Sequence, residues 1–219
     1  MKTLIVTASS KTKSNKNELP FIFKDKRFVD TLDIKYQKSL LQARMDLLKE
    51  FHFNQGPDTH LDQKSGDEIK YLPAFSRYAG RTYSKITDDA WNILSTNPNE
   101  FDCVILSAFY GLIRFNEPIR NYVIKQVTKM SSGSTIGNYW KNRGAQDWLF
   151  SYIKNTQPDQ VKFVLSTSYS DIVNKTGLMS RLKNELNIES EDKQFKQGGM
   201  KSMLLRGQYI NELLTRKVK

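Results

Sequence analysis

Three short apolar runs, far apart in the chain and rich in β-branched residues, constrain this sequence most: Leu4-Ile5-Val6-Thr7-Ala8, Phe101 to Ala108, and Val161-Lys162-Phe163-Val164-Leu165-Ser166. Runs of this length and composition read as buried strands. Between the first two, Tyr36, Leu40, Leu41, Leu47, Leu48 and Phe51 recur at helical spacing with Lys and Arg on the opposite face, which predicts an amphipathic helix. Thr87 before Asp88-Asp89 is a helix start, with the carboxylates set against the positive helix end. Pro118 and Ser131-Ser132-Gly133-Ser134 mark a loop-rich stretch, a candidate ligand lid, ahead of a helix through Tyr139, Trp140, Trp148 and Tyr152. Further helices are expected after Ser168, at Leu178–Leu186 and from Met200 to Leu214, with Glu189-Ser190-Glu191-Asp192 as a polar connection. Residues 70–84 read as loop with a possible edge strand. Strands interleaved with helices predict an α/β fold: one domain over residues 1–219, with a mostly parallel central sheet flanked by helices.

The size of 219 residues and the 38% hydrophobic share support one core without a partner. No apolar stretch reaches membrane length, and the first run is too short for a signal peptide, so no membrane association and a cytoplasmic location are expected. The lone Cys103 can form no internal disulfide and is expected to be buried as a small apolar residue. His52 and His60 are the only histidines; with one cysteine they make a poor metal set, and no cofactor is expected. The net charge of +11 is unevenly spread, with basic blocks at 1–49, 111–146 and 175–219 separated by weakly acidic ones. Such blocks are either solvated helix faces or phosphate-binding surface.

In an open α/β sheet, ligands bind beyond the carboxyl ends of the strands. The residues there are Ser9-Ser10-Lys11-Thr12-Lys13, Ser107-Ala108-Phe109-Tyr110-Gly111 and Ser166-Thr167-Ser168-Tyr169-Ser170. Hydroxyls, amides and ammoniums of this kind suit an anionic or hydroxyl-rich ligand, although Ser and Thr after strands also cap helices. Tyr83, Tyr110, Tyr122, Trp140 and Tyr169 lie near Arg77, Arg81, Arg114, Arg120 and Arg143, a mixture that can stack on bases and hold phosphates. The candidate ligand or nucleic-acid-binding set is Ser10, Lys11, Tyr83, Ser107, Tyr110, Gly111, Arg114, Arg120, Tyr122, Trp140, Ser166 and Tyr169. No Walker loop, dinucleotide glycine fingerprint, carboxylate pair or Ser/His/Asp order is present.

Leu106-Ser107-Ala108-Phe109-Tyr110-Gly111-Leu112-Ile113-Arg114, followed by Pro118-Ile119-Arg120-Asn121-Tyr122, resembles the LSGLYGLLRPL block of the peroxide-stress family known as YaaA. Ser10-Lys11-Thr12, Ala79 to Tyr83, Tyr139-Trp140 and Leu165 to Tyr169 resemble further family blocks in the same order. Departures are Thr167-Ser168 and Asp171, where the family carries Asp-Glu and Lys, and Ala108, where it carries glycine. The resemblance implies an α/β fold of its own class, a role in limiting oxidative damage and binding to duplex and branched DNA through a basic cleft. It also implies a helix-hairpin-helix whose turn would be Ser107 to Gly111, in conflict with the strand reading of 101–107. Three readings stay open: a sequence-independent DNA-binding protein, an enzyme acting on a nucleotide or nucleoside in the manner of an N-glycosidase, and a basic scaffold for an acidic protein.

Overall fold

The computed structural model describes residues 1–15, 25–51 and 71–216; His52 and His60 lie outside them. The three apolar runs are β1 (Thr3–Ala8), β3 (Phe101–Ser107) and β6 (Gln160–Val164). They lie side by side in a five-stranded sheet of order β4-β3-β1-β6-β7, where β4 is Gly111–Arg114 and β7 is Glu189–Asp192. β1 pairs in parallel with β3 (Ile5 opposite Cys103) and with β6 (Ile5 opposite Lys162), and β6 pairs in parallel with β7. Only β4 is antiparallel. All seven β3 side chains are buried, as expected of an inner parallel strand covered on both faces, which explains the unbroken apolar sequence.

The helices are α1 (Ile34–Glu50), α2 (Ala74–Arg77), α3 (Asp88–Thr96), α4 (Ile136–Asn142), α5 (Ala145–Thr156), α6 (Thr167–Ile172), α7 (Lys175–Leu186) and α8 (Gly199–Thr215). On α1 the buried positions are Leu40, Ala43, Arg44, Leu47 and Leu48, so the helical spacing did mark its core face. Thr87 accepts the Ala90 amide and caps α3 as expected. The helix expected through residues 139 to 152 is broken into α4 and α5 at Gly144, whose φ of +96° is open to glycine and strained for other residues. Among the described residues no helix is long and apolar enough to cross a membrane. Cys103 is buried, and burial pushes its thiol well above the ordinary range.

Three local expectations are corrected. Glu189–Asp192 is the edge strand β7 rather than a connection; its polar sequence suits a strand with an open side, and Lys162 forms an ion pair with its Glu191. Residues 111–114 form β4, so the Ser107–Gly111 turn closes a strand hairpin and not a helix-hairpin-helix. Residues 72–73 do form a strand, β2, paired with β5 (Pro118–Ile119), but α2 follows at once where loop was expected. The stretch at 131–134 is loop as expected, a tight turn in which Met130 N–H bonds the Ser134 carbonyl and the Ser131 hydroxyl donates to Glu50 at 2.9 Å.

Candidate site at the strand carboxyl ends

The chain leaves β1 to pair with β3 on one side and with β6 on the other, which makes the carboxyl end of β1 the point where the strand order switches direction. A crevice at such a point is where open α/β sheets bind ligands. Ser9 follows β1, Ser107 closes β3, and Tyr169 sits in α6, just after β6. The Ser9 and Tyr169 hydroxyls share a hydrogen bond of 3.1 Å. Ser107 Oγ lies 2.9 Å from the Tyr122 hydroxyl and accepts from Tyr78 at 3.2 Å, while Tyr78 and Tyr122 share a bond of 2.8 Å. Thus five hydroxyls gather at the ends of three strands.

Lys13 completes the cluster. Residues 12–14 run antiparallel to 77–79, with Ser14 N–H on the Arg77 carbonyl and Ala79 N–H on the Thr12 carbonyl. This pairing places Lys13 Nζ 3.8 Å from the centre of the Tyr122 ring and 5.8 Å from that of Tyr78. Arg77, fully buried, holds the strip down by donating to the Ser14 carbonyl at 2.6 Å and the Ile119 carbonyl at 3.3 Å. Burial, and then the Arg77 charge, lower the Lys13 pKa to about 8. Burial raises Tyr122 to about 12 and pushes Tyr78 and Tyr169 upward as well. At neutral pH the phenols therefore keep their protons, whereas the amine titrates near physiological pH. Among the described residues no carboxylate pairs with Lys13.

Of the residues singled out in the sequence, Ser107, Tyr122 and Tyr169 lie in this cluster. Lys11 is exposed beside it and its carbonyl accepts from Lys13 Nζ at 3.4 Å. Ser10 abuts Gly80, where an added Cβ would meet Ser10 Oγ at 1.9 Å; the exposed Arg81 follows on the same rim. The Arg120 amide donates to Tyr110 at 3.1 Å, so its side chain also starts near the end of β3. Ser166 is the N-cap residue of α6, with its hydroxyl 3.2 Å from that of Ser168.

Others hold the fold. Trp140 is fully buried and donates from its indole to the Ala108 carbonyl at 2.8 Å, and Tyr83 donates to the Ala8 carbonyl at 3.1 Å. Tyr110 is buried, and its amide and that of Phe109 are taken by Ser107 Oγ; the turn has no spare amides there for a phosphate. Gly111 closes this turn at a φ of +70° against the Trp140 ring. Arg114 opposes Val104 partway down β3 and pairs with Asp102 at 3.3 Å, away from the strand carboxyl ends. Sequence reasoning did not select Ser9, Lys13 or Tyr78, although the first two belong to the marked Ser9–Lys13 stretch. Nothing local distinguishes Lys13 from Lys11; only the pairing with residues 77–79 turns one over the tyrosines.

A cavity of about 370 Å³ opens further along the same sheet edge, lined by Lys141, Thr167, Ser170, Asp171, Lys175 and Asp192 among others. Its lysines and aspartates offset one another and Lys175 pairs with Asp192, so it lacks the unbalanced positive charge of the Lys13 region.

A family model described as peroxide stress protein YaaA matches residues 1–219. The UPF0246 protein FN1762 of Fusobacterium nucleatum subsp. nucleatum is 23% identical over 165 residues, a match covering 74% of this chain and 62% of that protein. The chain thus spans less than two thirds of the length of the curated relative it matches.

Proposed function

Because this chain belongs to the peroxide stress protein YaaA family, we propose that it serves in that stress by binding DNA without reading its sequence, through the phosphate backbone, at the carboxyl ends of β1, β3 and β6. The observation that carries this reading is the company of Lys11, Lys13 and Arg81 around a cluster of hydroxyl groups in which, among the described residues, no carboxylate pairs with Lys13. Cations of this kind release counterions from each phosphate they neutralise, and hydroxyls add hydrogen bonds to phosphate oxygens and sugars. The ammoniums and hydroxyls carry no fixed two-point pattern for a base edge, and the Arg81 guanidinium suits a phosphate as well as a guanine edge. The buried aromatics Trp140, Tyr83 and Tyr110 have no part in this interface.

Fluorescence anisotropy with unrelated duplexes tests the proposal. For three neutralised phosphates, affinity is expected to fall roughly fortyfold between 50 and 200 mM salt, with little difference between sequences. The Lys11→Ala/Arg81→Ala double variant is expected to lower the slope of log affinity against log salt by about 2. Salt-independent binding, or a slope unchanged in the double variant, would remove this face from the interface.

One observation favours a second reading, an enzyme on a nucleotide or nucleoside. The Lys13 amine is part-buried over the Tyr122 and Tyr78 rings, a setting that suits chemistry better than phosphate binding alone. An N-glycosidase working through two carboxylates is poorly served by such a cluster, because hydroxyls and one amine are what it offers.

A further inference from the structure

We propose that Lys13 is an amine nucleophile that forms an imine with the open-chain aldehyde of a deoxyribose seated among the Ser9, Tyr122 and Tyr169 hydroxyls. The sugar of an abasic site is the source that the DNA-binding reading supplies; the proposal rests on that reading for its substrate, not for the chemistry of the lysine.

An imine-forming lysine must present a neutral amine, lack a carboxylate that would hold it as an ammonium, and face donors that polarise a carbonyl oxygen. Among the described residues, the groups facing Lys13 are the Tyr122 and Tyr78 rings, the Arg77 guanidinium and the Lys11 carbonyl. The ring face attracts an ammonium, but burial and Arg77 together lower the pKa to about 8. About a quarter of the amine is then neutral at pH 7.5, against about 0.1% for an ordinary lysine. The donors are present too. Ser9 bonds both the Tyr169 hydroxyl and the Tyr122 hydroxyl, so a carbonyl oxygen entering there takes its hydrogen bond by exchange with this network.

The neutral Nζ adds its lone pair to the C1′ carbonyl carbon, and the carbonyl oxygen takes up a proton released from nitrogen to give a carbinolamine. A further proton from solvent carries that hydroxyl off as water, and the nitrogen lone pair closes the protonated imine. The imine acidifies C2′: its proton passes to water, the C–H pair becomes a C2′=C3′ double bond, and the C3′–O pair leaves with the 3′ phosphate. Hydrolysis then returns the amine and an unsaturated aldehyde.

The test is reductive trapping with sodium cyanoborohydride on a duplex carrying one abasic site, the adduct being mapped by peptide mass spectrometry. The adduct is expected on Lys13, to form at a rate that rises with pH through a midpoint near 8, and to fall at least tenfold in Lys13→Arg. Lys154→Arg, at the opposite end of the sheet, is expected to trap like the unaltered protein. A parallel arm with free 2-deoxyribose 5-phosphate separates the two claims. Trapping of the free sugar at Lys13 without trapping of DNA upholds the lysine and sinks the DNA substrate, and anisotropy on undamaged DNA judges the binding reading by itself. An adduct mapped to other lysines, or no adduct with either aldehyde, overturns the proposal, and because mapping uses the unaltered protein this outcome does not depend on a variant folding.

Discussion

At Gly111 the backbone takes a φ of +70°, and a Cβ there would lie 3.1 Å from the Trp140 ring. A side chain therefore meets two penalties, the left-handed backbone and a crowded, fully buried indole. Gly111→Val is expected to destabilise the protein by about 2 kcal/mol or more, read as a Tm lowered by several degrees, with DNA affinity of the folded protein unchanged. A folded variant of ordinary Tm that has lost affinity would put the turn back in the interface. Lys13 makes the opposite case, a residue whose importance is electrostatic. Its pKa is depressed to about 8, so between about 8 and the ordinary 10.5 the unfolded chain binds a proton that the folded one does not. Stability must then rise with pH across that window. The difference in Tm between the unaltered protein and Lys13→Met is expected to move in favour of the former from pH 8 to 10. A difference independent of pH would show that the amine keeps its ordinary hydration.

Between elements, charged side chains make the joints. Arg44 of α1 is buried and donates to the Tyr110 carbonyl at 2.9 Å and the Leu112 carbonyl at 3.0 Å, fastening the helix to the β3–β4 hairpin. Glu117 lies near it, accepting the Phe28 amide at 2.6 Å and the Arg114 amide at 2.8 Å. Burial raises the Glu117 pKa, and the Arg44 charge is the strongest influence holding it down. Arg44→Met is expected to cost about 3–5 kcal/mol in urea denaturation, since it leaves two carbonyls and a buried carboxyl short of partners. A loss below 1 kcal/mol would show that the joint is carried by apolar packing. Arg114 belongs to another joint: it pairs with Asp102, which also accepts the Tyr152 hydroxyl and so links β4 to α5. Arg114→Ala is therefore expected to lower stability while leaving DNA affinity intact.

Across the whole molecule, placing β1 between β3 and β6 brings three distant chain segments to one edge. Loop closure over such separations is slow to organise but costs little more free energy than shorter closures. The result is a site with Ser9, Ser107 and Tyr169 within hydrogen-bonding reach of one another or of shared partners, flanked by cations from the first and middle thirds of the chain. On the proposed phosphate-binding role of that surface, excess salt and free polyanions should compete for it.

The strand runs, the α1 core face and the Thr87 cap were legible in the sequence because apolar periodicity and capping are local properties, set by residues within a few positions of each other. The class of the fold followed from their alternation. The segments that follow β1, β3 and β6 were legible for the same reason, since strand ends are read from the same local pattern. Which of their side chains are buried or already engaged was not. Trp140, Tyr83 and Tyr110 have the composition of a base-stacking surface and spend their polar atoms on backbone carbonyls and amides; Arg114 has the composition of a phosphate ligand and is neutralised by Asp102. Lys13 and Tyr78 meet only because two strips of chain 65 residues apart pair side by side. Hydrogen-bond partners and desolvation depend on neighbours distant in sequence, and the tertiary structure alone decides them.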